Sequence, residues 1–163
     1  MQVMKRFLSS QWYVHTIDRV IPGGLTALSY ATMNGNFEFV EKLLNNGADV
    51  DAISNGTKCP ALHEAIQIGD VDIFELLLKY NASQLIVDVD GMTAMHKAAK
   101  LGQSRMLSIL LKAPKAKEAL KEIDRKGRTA LDVASGEYIR AKIYASMVSM
   151  RLITHSKSSL KYP

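Results

Sequence analysis

Four segments of this chain begin alike: Thr26 to Ala31 reads TALSYA, Pro60 to Ala65 PALHEA, Thr93 to Ala98 TAMHKA, and Thr129 to Ala134 TALDVA. Their third residues, Leu28, Leu62, Met95 and Leu131, recur at spacings of 34, 33 and 36. A period in this range describes small units that cannot bury their apolar sides alone, so each must lie against its neighbours. Gly35, Gly69 and Gly102 follow the first three anchors by seven residues, and leucine pairs come later at Leu43-Leu44, Leu77-Leu78 and Leu110-Leu111. Each unit therefore reads as a short helix, a tight turn at the glycine and a longer second helix. Phe37, Val40, Leu43 and Leu44 mark the apolar side of the first second-helix. Ile73, Leu76 and Leu77 do so in the next, and Met106, Leu107, Leu110 and Leu111 in the third. Asn36, Asp70 and Ser104 follow the turn glycines closely and are expected to cap those helices with a side-chain oxygen. Gly47 suits the left-handed position that ends a helix.

Over residues 21–135 the sequence resembles the ankyrin family, whose pattern is D-x-x-G-x-T-P-L-H-x-A-A-x-x-G, a leucine-rich helix, then G-A-D-V-N. Asp88 to Gly102 (DVDGMTAMHKAAKLG) and Asn46 to Ala52 (NGADVDA) carry the match. The resemblance implies an all-α solenoid of stacked helix pairs with short β-hairpin or loop fingers, about three full repeats between half-repeat caps. It also implies a threonine-to-histidine bond within the tetrapeptide, T-P-L-H in the family, that opens each of the four segments: Thr93 and His96 keep that pair, whereas Pro60 leaves His63 without it. Ala27, Ala61, Ala94 and Ala130 stand where the family prefers proline, so each first helix has a less rigid start. The connection APKAKEALKEI between Leu111 and Asp124 is three residues longer than usual, and its composition favours a helical turn.

One domain is expected over 1–153. It divides into a cap (1–20, with Val3, Met4, Phe7 and Leu8 at helical spacing), repeats at 21–54, 55–87 and 88–123, and a fourth repeat or C-terminal cap at 124–153. Ile139, Ile143, Met147, Val148 and Met150 form the apolar side of that last helix. Residues 154–163 read as a basic, flexible tail. With 163 residues and 47% apolar content the chain can bury one core. Its single cysteine excludes an internal disulfide and cannot alone make a structural zinc site, which favours a reducing compartment. No apolar run approaches the roughly 20 residues that span a bilayer, and the N-terminus lacks the apolar stretch of a secretory signal. A cytoplasmic monomer is the expectation; nuclear residence or delivery into a host cell is also compatible.

Charge is uneven. Up to Leu110 there are 9 basic and 11 acidic residues; from Leu111 onward there are 12 and 5. The basic end can attract an acidic protein, a nucleic acid or an anionic surface. Nucleic acid ranks second, because Lys112 to Lys142 lacks the interleaved aromatics that stack single strands and shows no groove-reading helix.

Catalysis is not expected. His63 lies four residues after Cys59, but its position in the repeat explains it structurally, as it does His96. A Cys59, His63, His96 site would lack an orienting third group or a fourth ligand. Asp70, Asp72 and Glu75 read as a solvated helix start, and no phosphate-cradling glycine loop is present. No cofactor or metal is implied. Of the eight methionines, Met106 and Met147 fall at core spacing, whereas Met33, at the end of a first helix, and Met92, at a finger tip, are expected to touch a partner.

Ankyrin proteins bind other proteins through finger tips and the open side of the first helices, and the resemblance carries those positions onto this chain. They are Leu25, Tyr30, Met33 and Asn34 in the first repeat; Lys58, Glu64, Gln67 and Ile68 in the second; and Met92, Lys97, Lys100 and Leu101 in the third. Arg125, Lys126 and Arg128 belong to the fourth finger. Tyr30 and Arg128 are the expected anchors, since aromatics and arginines dominate interface energetics. The partner is expected to be a protein with an acidic or mixed-charge segment.

Overall fold

Thr26 and Thr93 start helices because their side chains supply the acceptor that a helix N-terminus lacks. In the computed structural model, which describes residues 17–153 apart from residue 22, Thr26 accepts from the Ser29 amide at the start of α1 (Ala27–Met33). The turn at Gly35 leads to α2 (Phe37–Asn45), where Asn36 accepts from the Phe39 amide. The second repeat gives α3 (Ala61–Ile68) and α4 (Val71–Lys79), with Asp70 capping Ile73. The third gives α5 (Ala94–Lys100) and α6 (Ser104–Lys112). The expected helical turn in the long connection is α7 (Ala116–Ala119), and α8 (Gly136–Ser149) closes the described chain. Residues 1–16 of the expected N-terminal cap and the tail, 154–163, lie outside the described residues.

First helices stack as one layer, α1 on α3 on α5, and second helices as another, α2 on α4 on α6 on α8. Between the layers runs a continuous core that includes Leu28, Val40, Leu62, Ile66, Leu77, Met95, Met106, Leu110 and Ile143, all buried. The loops that join one repeat to the next project as fingers. They close as tight turns, and none forms a strand among the described residues. In the third finger Asp88 Oδ1 accepts from the Asp90 and Met92 amides; in the fourth, Asp124 Oδ1 accepts from Lys126 and Arg128. Adjacent fingers touch through backbone: the Arg125 amide donates to the Asp90 carbonyl at 3.0 Å. A Cβ on Gly91 would lie 2.9 Å from that amide nitrogen, and Gly91 has φ +76°, so glycine is required there twice over.

Three expectations need correction. Ser104 is the first helical residue of α6 and not its cap; Gln103 holds the cap position without a side-chain bond and instead donates to the Ile66 carbonyl. Phe37 is 41% exposed, because it sits at the N-terminal edge of a stripe centred on Val40, Leu43 and Leu44. The fourth tetrapeptide makes only a turn, since Gly136 arrives two residues earlier than in the other repeats. Asp132 also occupies the histidine position and folds back on Thr129, accepting from both its amide and its hydroxyl.

Candidate functional site

The two tetrapeptide histidines tie α3 and α5 to the finger of the next repeat. His63 Nε2 lies 3.0 Å from the Met92 carbonyl, and His96 Nε2 lies 3.0 Å from that of Arg128. A carbonyl only accepts, so Nε2 carries the proton and Nδ1 is left as an acceptor. Thr93 Oγ1 lies 2.8 Å from His96 Nδ1 and satisfies it, whereas the buried Nδ1 of His63 has no partner because Pro60 offers no donor. Burial holds the His63 pKa below its ordinary value. Cys59 is 3% exposed and donates to the Glu64 carboxylate at 3.2 Å; burial, with that carboxylate beside it, pushes the thiol up to about 11. A thiol held protonated in this way is a poor nucleophile and metal ligand. Among the described residues no three His, Cys, Asp or Glu side chains converge as a metal site would require.

One side of the molecule open to a ligand is formed by the first helices and the fingers. Tyr30 and Met33 on α1, Ile68 on α3 and Leu101 just beyond α5 are exposed by 40, 41, 42 and 39%. Asn34, Lys58, Gln67 and Lys100 are exposed beside them, Leu25 is half-buried, and Arg125 and Lys126 stand free at the fourth finger. Between the second and third repeats these elements enclose a cleft of about 220 Å³, bordered by Thr57, Gln67, Val89, Asp90, Lys100 and Leu101. That volume suits one inserted side chain.

Four of the expected contact residues are engaged within the chain. Met92 is 3% exposed, folded inward because its amide is held by Asp88 and its carbonyl by His63. Glu64 is 5% exposed and receives the Cys59 thiol. Lys97 is mostly covered, with its ammonium 3.8 Å from Asp88. Arg128 directs both Nε and Nη2 onto Asp124 Oδ2, at 2.9 and 2.7 Å, and this guanidinium holds the Asp124 carboxyl down to about 2. The fourth finger is thus locked by Arg128, leaving Arg125 and Lys126 as its available cations.

Sequence reasoning also missed exposed residues. Ile53, Val87 and Ile123, each preceding the first residue of a finger, are 43, 46 and 59% exposed, and Val89 at the third finger's tip is 44% exposed. Their signal was an apolar residue in the same register of three fingers, just before Ser54, Asp88 and Asp124.

The family model for ankyrin repeats in three copies matches residues 2–88 and 62–143. The chain is 34% identical over 97 residues to the ankyrin repeat protein nuc-2 of Neurospora crassa, which covers 60% of this chain and 9% of that protein. It is 35% identical over 115 residues to the human transient receptor potential cation channel subfamily A member 1, covering 69% of this chain and 10% of the channel. A putative ankyrin repeat protein of fowlpox virus is 30% identical over 131 residues, covering 79% of this chain and 38% of the viral protein. The chain therefore spans well under half the length of each of these relatives.

Proposed function

The chain belongs to the ankyrin-repeat family, and from that premise we propose that it is a scaffold or inhibitor that holds another protein against its first helices and fingers. Repeats of this family generally mediate protein-protein interaction, and their stacked units offer an extended concave surface for it. The observation that carries the reading here is the row Tyr30, Met33, Ile68 and Leu101. These are four large apolar side chains about two-fifths exposed on successive repeats, and they lead toward the basic pair Arg125 and Lys126. An aromatic and aliphatic row of this kind supplies anchors, and the two cations supply charge complementarity and steering. The partner is accordingly a protein segment with an apolar stretch followed by acidic residues.

Affinity capture with the parent chain, beside a Tyr30→Ala, Arg125→Glu, Lys126→Glu variant, tests the assignment. Arg128 is kept because it locks the finger onto Asp124. Proteins retained by the parent and lost with the variant support the concave face. Equal capture by both baits would refute it. For a captured partner, the variant should also lose the salt sensitivity of binding.

A further inference from the structure

We propose a second docking site, on the side of the second helices, for an acidic segment of a partner that inserts an apolar side chain between the second and third repeats. Side-chain-to-amide ties join neighbouring repeats here. The Asp49 amide donates to Asp18 Oδ1 at 2.9 Å, and one repeat on, the Ser83 amide donates to Asp51 Oδ1 at 2.8 Å. One repeat further, the acceptor position is Leu85, whose side chain has no oxygen to offer.

The chain itself also leaves its path at this point. α2 and α4 end with left-handed residues at Gly47 (φ +86°) and Asn81 (φ +64°). In α6 the matching position is Pro114, which cannot adopt that conformation and drives Ala113 into an extended one (ψ 154°). The chain then winds into α7, with the Ala116 amide donating to the Ala113 carbonyl. Between the second and third repeats, beside Pro114 and Lys115, there is an open groove of about 780 Å³.

Leu78, Ala82, Ile109 and Pro114 give this groove an apolar floor, and Leu78 and Ile109 are only half-buried. Lys112 and Lys115 form one wall, exposed and without an ion-pair partner among the described residues. The facing wall carries Asp51, whose Oδ1 is occupied by Ser83. Free cations beside unfilled apolar surface fit carboxylates flanking a leucine-like side chain, and a volume of this size takes several residues of extended peptide rather than one side chain. The groove shares no residue with the concave face, so two partners, or two segments of one, could bind together.

The test uses the full chain, isotopically labelled for amide resonances, with a peptide of Asp and Glu flanking one Leu. Shifts are expected at Leu78, Ile109, Lys112 and Lys115 and not at Tyr30 or Leu101. Reversing Lys112 and Lys115 to Glu should weaken binding at least about tenfold, while Tyr30→Ala leaves it unchanged. Replacing the peptide leucine with serine should also abolish it. Equal binding of the serine peptide, of a duplex DNA or of anionic lipid vesicles at the same residues would overturn the proposal in favour of a general anion surface. So would an absence of groove shifts, or shifts confined to the first helices. The capture experiment on the concave face reads different residues, so either reading can fail without the other.

Discussion

Replacing Pro60 with threonine should make this protein more stable. Pro60 and Thr93 hold the same place in their repeats with nearly the same backbone, φ −75° and ψ 165° against φ −76° and ψ 170°, so a threonine fits at 60 without strain. Its hydroxyl would offer a side-chain cap to the His63 amide, which otherwise donates to the Pro60 carbonyl at 3.0 Å, a contribution of at most about 1 kcal/mol. The same hydroxyl would donate to the buried, unpartnered Nδ1 of His63, as Thr93 does to His96 at 2.8 Å, for about 1 kcal/mol more. Against this, the unfolded chain regains the freedom that proline removed, which costs about 0.4–1 kcal/mol. The net is about 1 kcal/mol of stabilisation, or a rise in Tm of roughly 2–4 °C for a chain of this size. Urea and thermal unfolding followed by far-ultraviolet circular dichroism would measure it. The mirror change, Thr93→Val, removes the hydroxyl from the satisfied pair and should cost about 1–3 kcal/mol. An unchanged or lowered stability for Pro60→Thr, alongside a costly Thr93→Val, would show that the empty His63 acceptor carries no penalty and refute the reasoning.

Gly91→Ala should destabilise by about 1–3 kcal/mol in urea titrations, since it forces a left-handed alanine against the Arg125 amide; a neutral result would mean that the two fingers are not in contact. Ile143→Ala, at a fully buried position where α8 seals the end of the stack, should cost about 2–5 kcal/mol and increase amide exchange in α6 before α3. The depressed Asp124 carboxyl binds its proton less readily folded than unfolded. It therefore contributes stability that is complete above about pH 4, the unfolded value, and is lost as pH falls through about 2. Arg128→Met should flatten that acid limb of the stability curve. His63 is likewise depressed, by burial, so its protonation favours the unfolded chain as pH falls below about 6.5. His63→Gln should shrink the loss of stability between neutral and mildly acidic pH, and an unaltered slope would refute the assignment.

The repeat period, the helix pairs, the turn glycines and the caps at Asn36 and Asp70 could be read from the sequence because each depends on residues within one unit. Spacing of leucines decides which side of a helix is apolar, and an oxygen-bearing side chain beside a helix start caps it wherever the unit sits. The extra turn between Leu111 and Asp124 was legible on the same local terms. The threonine-histidine pair came from the family pattern, and the structure added what the histidines do: His63 and His96 join α3 and α5 to the finger of the next repeat.

Burial across repeats was decided elsewhere. Met92 looked like a finger tip, yet two bonds, one from Asp88 in its own finger and one from His63 in the preceding repeat, turn it inward. Glu64 and Arg128 looked like free charges until Cys59 and Asp124 were placed beside them. The fourth first helix failed because a shortened spacing and a competing carboxylate outweighed a tetrapeptide that otherwise matched. A sequence with a strong period fixes what each unit is, since helix and turn preferences act over a few residues. Which charged and apolar side chains remain available to a partner depends on contacts some thirty residues apart, between Met92 and His63 or Ser83 and Asp51, and only the stacked structure brings those groups together.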